Sequence, residues 1–277
     1  MSLENLGLVN SILFLICLVS ILASFITLAL CLTTKQIENL SRKLLLCFCF
    51  NNIGRCSMFI IGLYSKGYLC LIVGFMKNVF LISNVLLSFF IAKCLVRSLI
   101  DRKEIKAKEF YYWLIGSYIG IPAVEALAFT TNSYDGITCN GIKVDVTGVI
   151  WRAVLVYSPC TVLVVLILLM YCKIYKHLDQ KHSVNKMEFC IDRGLIYSVQ
   201  LSIIYLPLLF IRLFSIFYQN SITDNLLLAE RIIGYLQGIF LLILTLLHKG
   251  IRESICCKPS DRNRLLSEGD YIADILN

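Results

Sequence analysis

Long apolar stretches separated by short polar connectors make up most of the chain. The first stretch, between Glu4 and Lys35, contains no charged residue. A helix needs about 20 mainly apolar residues to cross the hydrocarbon core of a bilayer. By this measure the pattern predicts seven membrane-spanning helices, here named spans one to seven, at 6–32, 44–63, 69–95, 110–129, 148–172, 194–218 and 229–248. The expected fold class is all-α, a polytopic bundle of seven transmembrane helices.

Composition limits what else the chain can contain. Of its 277 residues 58% are hydrophobic and 16% are charged, whereas soluble domains average about 45–50% and about 25%. Span one is too long for a signal-peptide core and has no basic segment before it, so it is expected to stay in the membrane. We expect one seven-helix domain with its juxtamembrane helix at 1–257 and a flexible cytoplasmic tail at 258–277, which is largely polar.

The basic residues indicate the orientation of the bundle. Nineteen of the 26 Lys and Arg residues lie on one side, in the connectors 33–43, 93–109 and 173–193 and in the tail. Only Lys66, Lys143 and Arg231 lie on the other side. Cytoplasmic connectors are enriched in Lys and Arg. The N-terminus is therefore expected outside, with the C-terminus in the cytosol and the protein in the plasma membrane.

Four of the thirteen cysteines lie where a disulfide or a lipid modification is expected, while most of the other nine lie within the predicted spans. Cys70 lies at the outer end of span three and Cys139 in the outer connector between spans four and five, both in an oxidising compartment, so a disulfide between them is predicted; the alternative is two free thiols. Segment 249–255 has the amphipathic pattern of a short eighth helix on the inner leaflet. Cys256 and Cys257 follow it and suggest S-palmitoylation, although such pairs also occur unmodified.

Catalytic chemistry has no visible location. The chain has three His residues, none clustered with Asp or Glu in a span as a bound metal would require. It contains no phosphate-binding glycine loop and no nucleophile motif, and Lys249 lies too near the cytoplasm to hold a retinal. We expect no enzyme activity, no cofactor, no metal and no nucleic-acid partner.

Cations inside the spans are the main functional signal. Arg55, Lys77, Arg152 and Arg212 lie in the outer halves of spans two, three, five and six, against the single carboxylate of Glu125 in span four. A charge in the membrane is costly and usually faces the bundle interior. Together with Tyr205 of span six, these residues are predicted to bind an anionic ligand, such as a phosphate or carboxylate compound.

Structural explanations for the same cations stay open. Arg152 or Arg212 could pair with Glu125, and cations near the outer ends could extend to the lipid headgroups. The proline residues of spans four, five and six, Pro122, Pro159 and Pro207, are expected to kink their helices. Gly234 and Gly238 of span seven predict close helix packing.

Short motifs resemble a receptor family. Thr147-Gly148, Trp151-Arg152 and Tyr157-Ser158-Pro159 are similar to the fifth helix of the slime-mould cyclic-AMP receptors. Tyr205-Leu206-Pro207 with Arg212 resembles their sixth helix, and Leu236-Gln237-Gly238 their seventh. The resemblance covers about 33–255. It implies a G-protein-coupled receptor that opens its cytoplasmic face to a heterotrimeric G protein.

The chain departs from these patterns at defined positions. Ile211 stands where the family has Asn before Arg212, and Leu247-His248-Lys249 replaces the Asn-Pro element of helix seven. Span three ends in Cys94-Leu95-Val96-Arg97, without the Asp-Arg-Tyr triplet, so the rhodopsin-like sequence class is not favoured. The identity of the ligand, cyclic AMP included, is left open.

The expected function is therefore that of a receptor for an extracellular, anionic small ligand. The G protein is expected to contact the cytoplasmic ends of spans three, five and six, around Arg97, Lys173, Lys176 and Arg193. A small anion transporter or channel using the same cations is the alternative, but the inner half of span five is apolar where a pathway would need polar groups. A membrane scaffold in which the cations are structural is the third possibility.

Overall fold

The computed structural model describes residues 3–33, 39–101, 107–131, 139, 146–180, 228–229 and 231–247. Every regular element in those ranges is helical. Five helical segments are long and apolar enough to cross a membrane, judged by length and composition: Gly7–Thr33, Arg42–Tyr64, Tyr68–Arg97, Lys108–Thr130 and Ala153–His177. They coincide with predicted spans one to five.

The remaining predictions fall partly or wholly beyond these ranges. Span seven is represented by residues 228–229 and 231–247, including the apolar helix Gln237–Leu247. Span six, the eighth helix at 249–255, the cysteine pair Cys256 and Cys257 and the tail at 258–277 lie outside the described residues. The count of seven spans therefore stays a prediction.

Spans one to three are continuous α-helices, Leu3–Thr33, Asn39–Tyr64 and Tyr68–Leu99. The turn between spans two and three is only three residues long. Gly67 ends it with φ +60°, a backbone conformation that residues with a Cβ rarely adopt. Its carbonyl accepts the N–H of Leu71 at 3.3 Å, which closes the first turn of span three.

Spans four and five each contain a wider, π-helical turn. Span four comprises Ala107–Ile115, the π-helical Gly116–Gly120, Ile121–Glu125 and Leu127–Thr130. Span five comprises Val146–Trp151, the π-helical Arg152–Tyr157 and Ser158–Gln180.

Proline explains the position of both wide turns. Pro122 and Pro159 each lie two residues beyond a π-helical segment. A proline ring clashes with the carbonyl four residues earlier and provides no N–H for it, so the preceding turn opens. In span four, the hydroxyl of Ser83 in span three donates to the Ser117 carbonyl at 2.9 Å and supplies a hydrogen bond within the wide turn. Pro207 lies outside the described residues.

Span three occupies the centre of the described bundle. It packs against spans two, four and five, whereas span one packs against spans two and seven. Phe90, Leu87 and Val85 of span three are almost completely buried. Leu8, Leu15 and Leu22 of span one, spaced two turns apart, are exposed. An outward apolar face of this kind is stable only in contact with lipid, so the chain is a multi-pass integral membrane protein.

Candidate functional site

Arg55 is buried inside the bundle, with 8% of its surface exposed. Its Nη1 donates to the carbonyl oxygen of Gly234 in span seven at 3.4 Å. The guanidinium carbon lies 5.3 Å from the centre of the Tyr235 ring, within cation–π range. The Arg55 side chain therefore faces the bundle interior and not the lipid headgroups.

Span seven has an irregular turn where Arg55 meets it. The carbonyl of Leu236 accepts two N–H groups, that of Ile239 at 3.0 Å and, in the regular α-helical position, that of Phe240 at 3.1 Å. Before this turn Arg55 donates to Gly234. After it the N–H of Gly238 donates to the Ser20 hydroxyl of span one at 3.1 Å. Side chains of two other spans thus provide hydrogen bonds to the backbone on either side of the turn.

Lys77 connects span three to the connector that carries Cys139, between spans four and five. Its Nζ donates to the Cys139 carbonyl at 2.7 Å and lies 5.7 Å from the centre of the Phe59 ring. Cys139 is also joined to Cys70 by a disulfide, with the two Cα atoms 4.6 Å apart. The predicted cysteine pair is thus present in the structure, and Lys77 provides a second attachment for the same residue.

Two aromatic rings lie between the cations. Phe59 of span two and Tyr235 of span seven are in contact, with ring centres 4.8 Å apart. Arg55 lies against Tyr235 and Lys77 against Phe59. The four side chains form a continuous row across spans two, three and seven, which we name the cation–aromatic row.

The apolar pattern of the sequence does not distinguish these two rings from other buried aromatic residues. Phe59 follows Arg55 by four residues, so helical spacing could have placed it beside the cation. Nothing local in the sequence connects Tyr235 to either cation, because the contact depends on how span seven packs.

Other polar residues of span two point to different neighbours. The amide of Asn52 donates to the hydroxyls of Ser20 and Ser24 in span one, at 3.1 and 2.8 Å. Asn51 accepts a hydrogen bond of 2.9 Å from the Tyr118 hydroxyl in span four. Asn51 and Asn52 precede Arg55 by four and three residues, a spacing that places all three on neighbouring positions of the helix. Nevertheless Asn52 contacts span one, Asn51 span four and Arg55 span seven. The reason is that span two is surrounded by neighbours on several sides.

Glu125 lies at another interface. It is 1% exposed and lies at the end of helix Ile121–Glu125, which packs against span three. Arg152 belongs to the π-helical part of span five, but its side chain lies outside the described part of the chain, as do Arg212 and Tyr205. A pairing of Glu125 with Arg152 or Arg212 therefore stays a prediction. Within the described ranges no cluster of three or more His, Cys, Asp or Glu is placed to hold a metal.

The opposite end of the bundle is basic, and we name it the basic end, in contrast to the disulfide end around Cys70 and Cys139. Arg97, near the end of span three, forms an ion pair with Glu109, near the start of span four. Lys173 and Lys176 are exposed on span five. Arg193, the fourth residue predicted to contact a G protein, lies outside the described residues.

Comparison with known proteins shows the fold. No family model matches the chain, and no curated protein matches it. Among solved structures, squid rhodopsin matches with a TM-score of 0.61 over 91% of this chain and 83% of its own. This chain has a rhodopsin-like fold. Sequence identity is 14%, so the likeness shows the arrangement of helices and not a sequence class.

The rhodopsin-like bundle accounts for the packing described above, with span three at its centre and spans one, two and seven adjacent. It supports the G-protein-coupled-receptor-like fold that the resemblance implied. Nothing in the comparisons supports the narrower likeness to slime-mould cyclic-AMP receptors.

Proposed function

We propose that this protein is a G-protein-coupled receptor for an extracellular, anionic small ligand. The observation that carries the proposal is the cation–aromatic row, which directs Arg55 and Lys77 into a rhodopsin-like bundle and ends at the disulfide-bonded Cys139. Cations held inside a bundle are expensive to keep and usually serve a function.

The orientation of the receptor belongs to the same proposal. Cys70 and Arg97 lie at opposite ends of span three, so the disulfide and the basic residues face opposite sides of the membrane. Disulfides persist in oxidising compartments, and basic connectors stay in the cytosol. The ligand then enters at the disulfide end, at the plasma membrane, and the G protein binds at the basic end.

The row provides a route from ligand to helix movement. An anionic group that pairs with the Lys77 ammonium changes the position of this ammonium relative to the Cys139 carbonyl, which is its partner in the structure. Because Lys77 packs on Phe59, Phe59 on Tyr235 and Tyr235 on Arg55, a shift at Lys77 alters the contacts at the irregular turn of span seven. A ligand changes a conformational equilibrium only by such differential contacts. Arg152, Arg212, Glu125 and Tyr205 are proposed to complete the site.

The test is ligand-dependent activation of a reporter G protein by a panel of phosphate and carboxylate compounds. Lys77→Gln is expected to abolish or strongly weaken the response. Lys66→Gln is the matched control, because Lys66 is exposed at the same end of the bundle and lies outside the row. Equal responses from both variants, or anion flux without G-protein activation, would refute the receptor proposal.

Coupling is tested separately at the basic end. Charge reversal of Lys173 and Lys176 to Glu is expected to reduce G-protein activation without changing ligand affinity, because these exposed side chains face the proposed G-protein surface. Lys93→Gln is the control, since Lys93 lies over the Trp113 ring, 5.4 Å from its centre. Loss of ligand binding in the Glu variants would contradict this assignment, because it would show that Lys173 and Lys176 contribute to ligand binding and not to G-protein coupling alone.

A further inference from the structure

Side chains of spans two and four form one surface that begins at the basic end and is here called the groove; it is formed by Lys43, Phe50, Tyr111 and Ile115. There the ammonium of Lys43 lies 5.7 Å from the ring centre of Tyr111 and 5.9 Å from that of Phe110. Phe110 is buried in the bundle, whereas Tyr111 is 53% exposed. The Lys43 side chain therefore extends from span two to span four, where it packs on both rings at the lipid-facing surface.

A second lysine shares this surface. Lys108 is exposed and precedes Tyr111 and Tyr112 by three and four residues, which places the three side chains on adjacent positions of one helical face. Tyr112 is 71% exposed. Lys43 and Lys108 are the second and first residues of their membrane-crossing segments, Arg42–Tyr64 and Lys108–Thr130. Both ammonium groups are thus at the level of the lipid headgroups, where tyrosine hydroxyls are also common.

Below the charged mouth the groove is apolar. Ile115 and Ile119 follow Tyr111 at successive turns of span four and are exposed. Phe50 lies two turns below Lys43 on span two, and its ring centre is 6.0 Å from that of Tyr118 in span four. Spans two and four therefore stay in contact into the hydrocarbon region, and both present exposed apolar side chains there.

We propose that this groove binds an anionic glycerophospholipid of the leaflet at the basic end. The headgroup phosphate lies between the Lys43 and Lys108 ammonium groups, with the tyrosine hydroxyls as further donors. The acyl chains follow Phe50, Ile115 and Ile119. Basic sites between membrane helices attract anionic lipids in this way, and the rings keep Lys43 in position while leaving its ammonium accessible to phosphate.

The arrangement matches a lipid better than a soluble anion, because exposed apolar side chains continue from the two lysines toward the middle of the membrane. Simple extension of the lysines into water would not account for the packing of Lys43 on two rings. The proposal is independent of receptor activity and needs only that this end of the bundle faces a leaflet containing anionic lipid.

Native mass spectrometry of the full-length protein tests the site, with nanodiscs of phosphatidylcholine alone or mixed with phosphatidylserine. We expect the protein to retain phosphatidylserine over phosphatidylcholine. Lys43→Gln and Lys108→Gln are each expected to weaken retention about fivefold, the effect of one basic residue near a charged membrane surface. Lys93→Gln, which removes a lysine stacked on Trp113 at the same end, is expected to leave retention unchanged.

Three results would overturn the proposal. The first is equal loss in the Lys93 variant, which would indicate attraction by general charge rather than by the groove. The second is equal retention of phosphatidylcholine. The third is binding of soluble glycerophosphoserine as tight as that of the lipid, which would show that the apolar groove has no part in binding. If Lys43→Gln does not fold, the exposed Lys108 variant decides the test alone.

Discussion

Gly238 of span seven lies directly against Ser20 of span one, and its N–H donates to the Ser20 hydroxyl at 3.1 Å. A Cβ at Gly238 would overlap the Ser20 carbonyl oxygen and the Asn52 amide. The two spans therefore approach each other as closely as backbone permits, as the spacing of Gly234 and Gly238 predicted. The same contact brings Ser20 within reach of Asn52, so three spans meet at this glycine.

Gly238→Ala is predicted to destabilise the bundle. Because the added methyl has no space, spans one and seven must separate or distort, at a cost of about 1–3 kcal/mol in the free energy of unfolding. Thermal unfolding of the purified protein in detergent measures the effect. Gly7→Ala is the control, since a Cβ there meets nothing within 4 Å; a similar loss in both variants would contradict the packing.

The Cys70–Cys139 disulfide is predicted to stabilise the folded protein. It closes a sequence separation of 69 residues, and its removal in a Cys70→Ala, Cys139→Ala double variant is expected to cost about 2–4 kcal/mol. Thermal unfolding with and without reductant checks this prediction. Cys172→Ala, at an exposed free cysteine, is expected to behave as the unmodified protein. An unfolding temperature of the double variant equal to that of the unmodified protein would contradict this prediction.

Ser83 is predicted to join spans three and four through the wide turn before Pro122. Its hydroxyl bonds the Ser117 carbonyl of the neighbouring span, and Ser83→Ala is expected to cost about 0.6 kcal/mol, the average for hydrogen bonds between membrane helices. Ser88→Ala is the matched control, because the Ser88 hydroxyl bonds the Asn84 carbonyl of its own helix at 2.7 Å. Calorimetry of both variants should show the larger loss for Ser83.

Arg97 and Glu109 are predicted to be energetically coupled at the basic end. Both side chains are partly exposed, so the ion pair is expected to contribute about 0.2–1 kcal/mol. A double-mutant cycle with Arg97→Gln and Glu109→Gln isolates this interaction from other effects of each substitution. The coupling should weaken as salt is added, since screening acts on exposed charges. If the changes in the free energy of unfolding caused by the two single substitutions are additive in the double variant, the ion pair is absent in the detergent-solubilised protein.

The positions of spans one to five followed from the sequence alone. An apolar run of about 20 residues is a local property, and the bilayer leaves helices as the form such a run can take. The same local reasoning located Pro122 and Pro159 as points of distortion and identified Cys70 and Cys139 as partners. It also singled out Arg55 and Lys77, because charges stand out against apolar surroundings.

Only the tertiary structure decided what those charges contact. Arg55 and Gly234 are 179 residues apart, and the Tyr235 and Phe59 rings meet between the two cations through packing that no local pattern encodes. Likewise, Asn51, Asn52 and Arg55 are close in sequence, yet each contacts a different helix. Helical spacing determines which side chains lie on which side of one helix, but the partners on each side depend on how all the helices pack together.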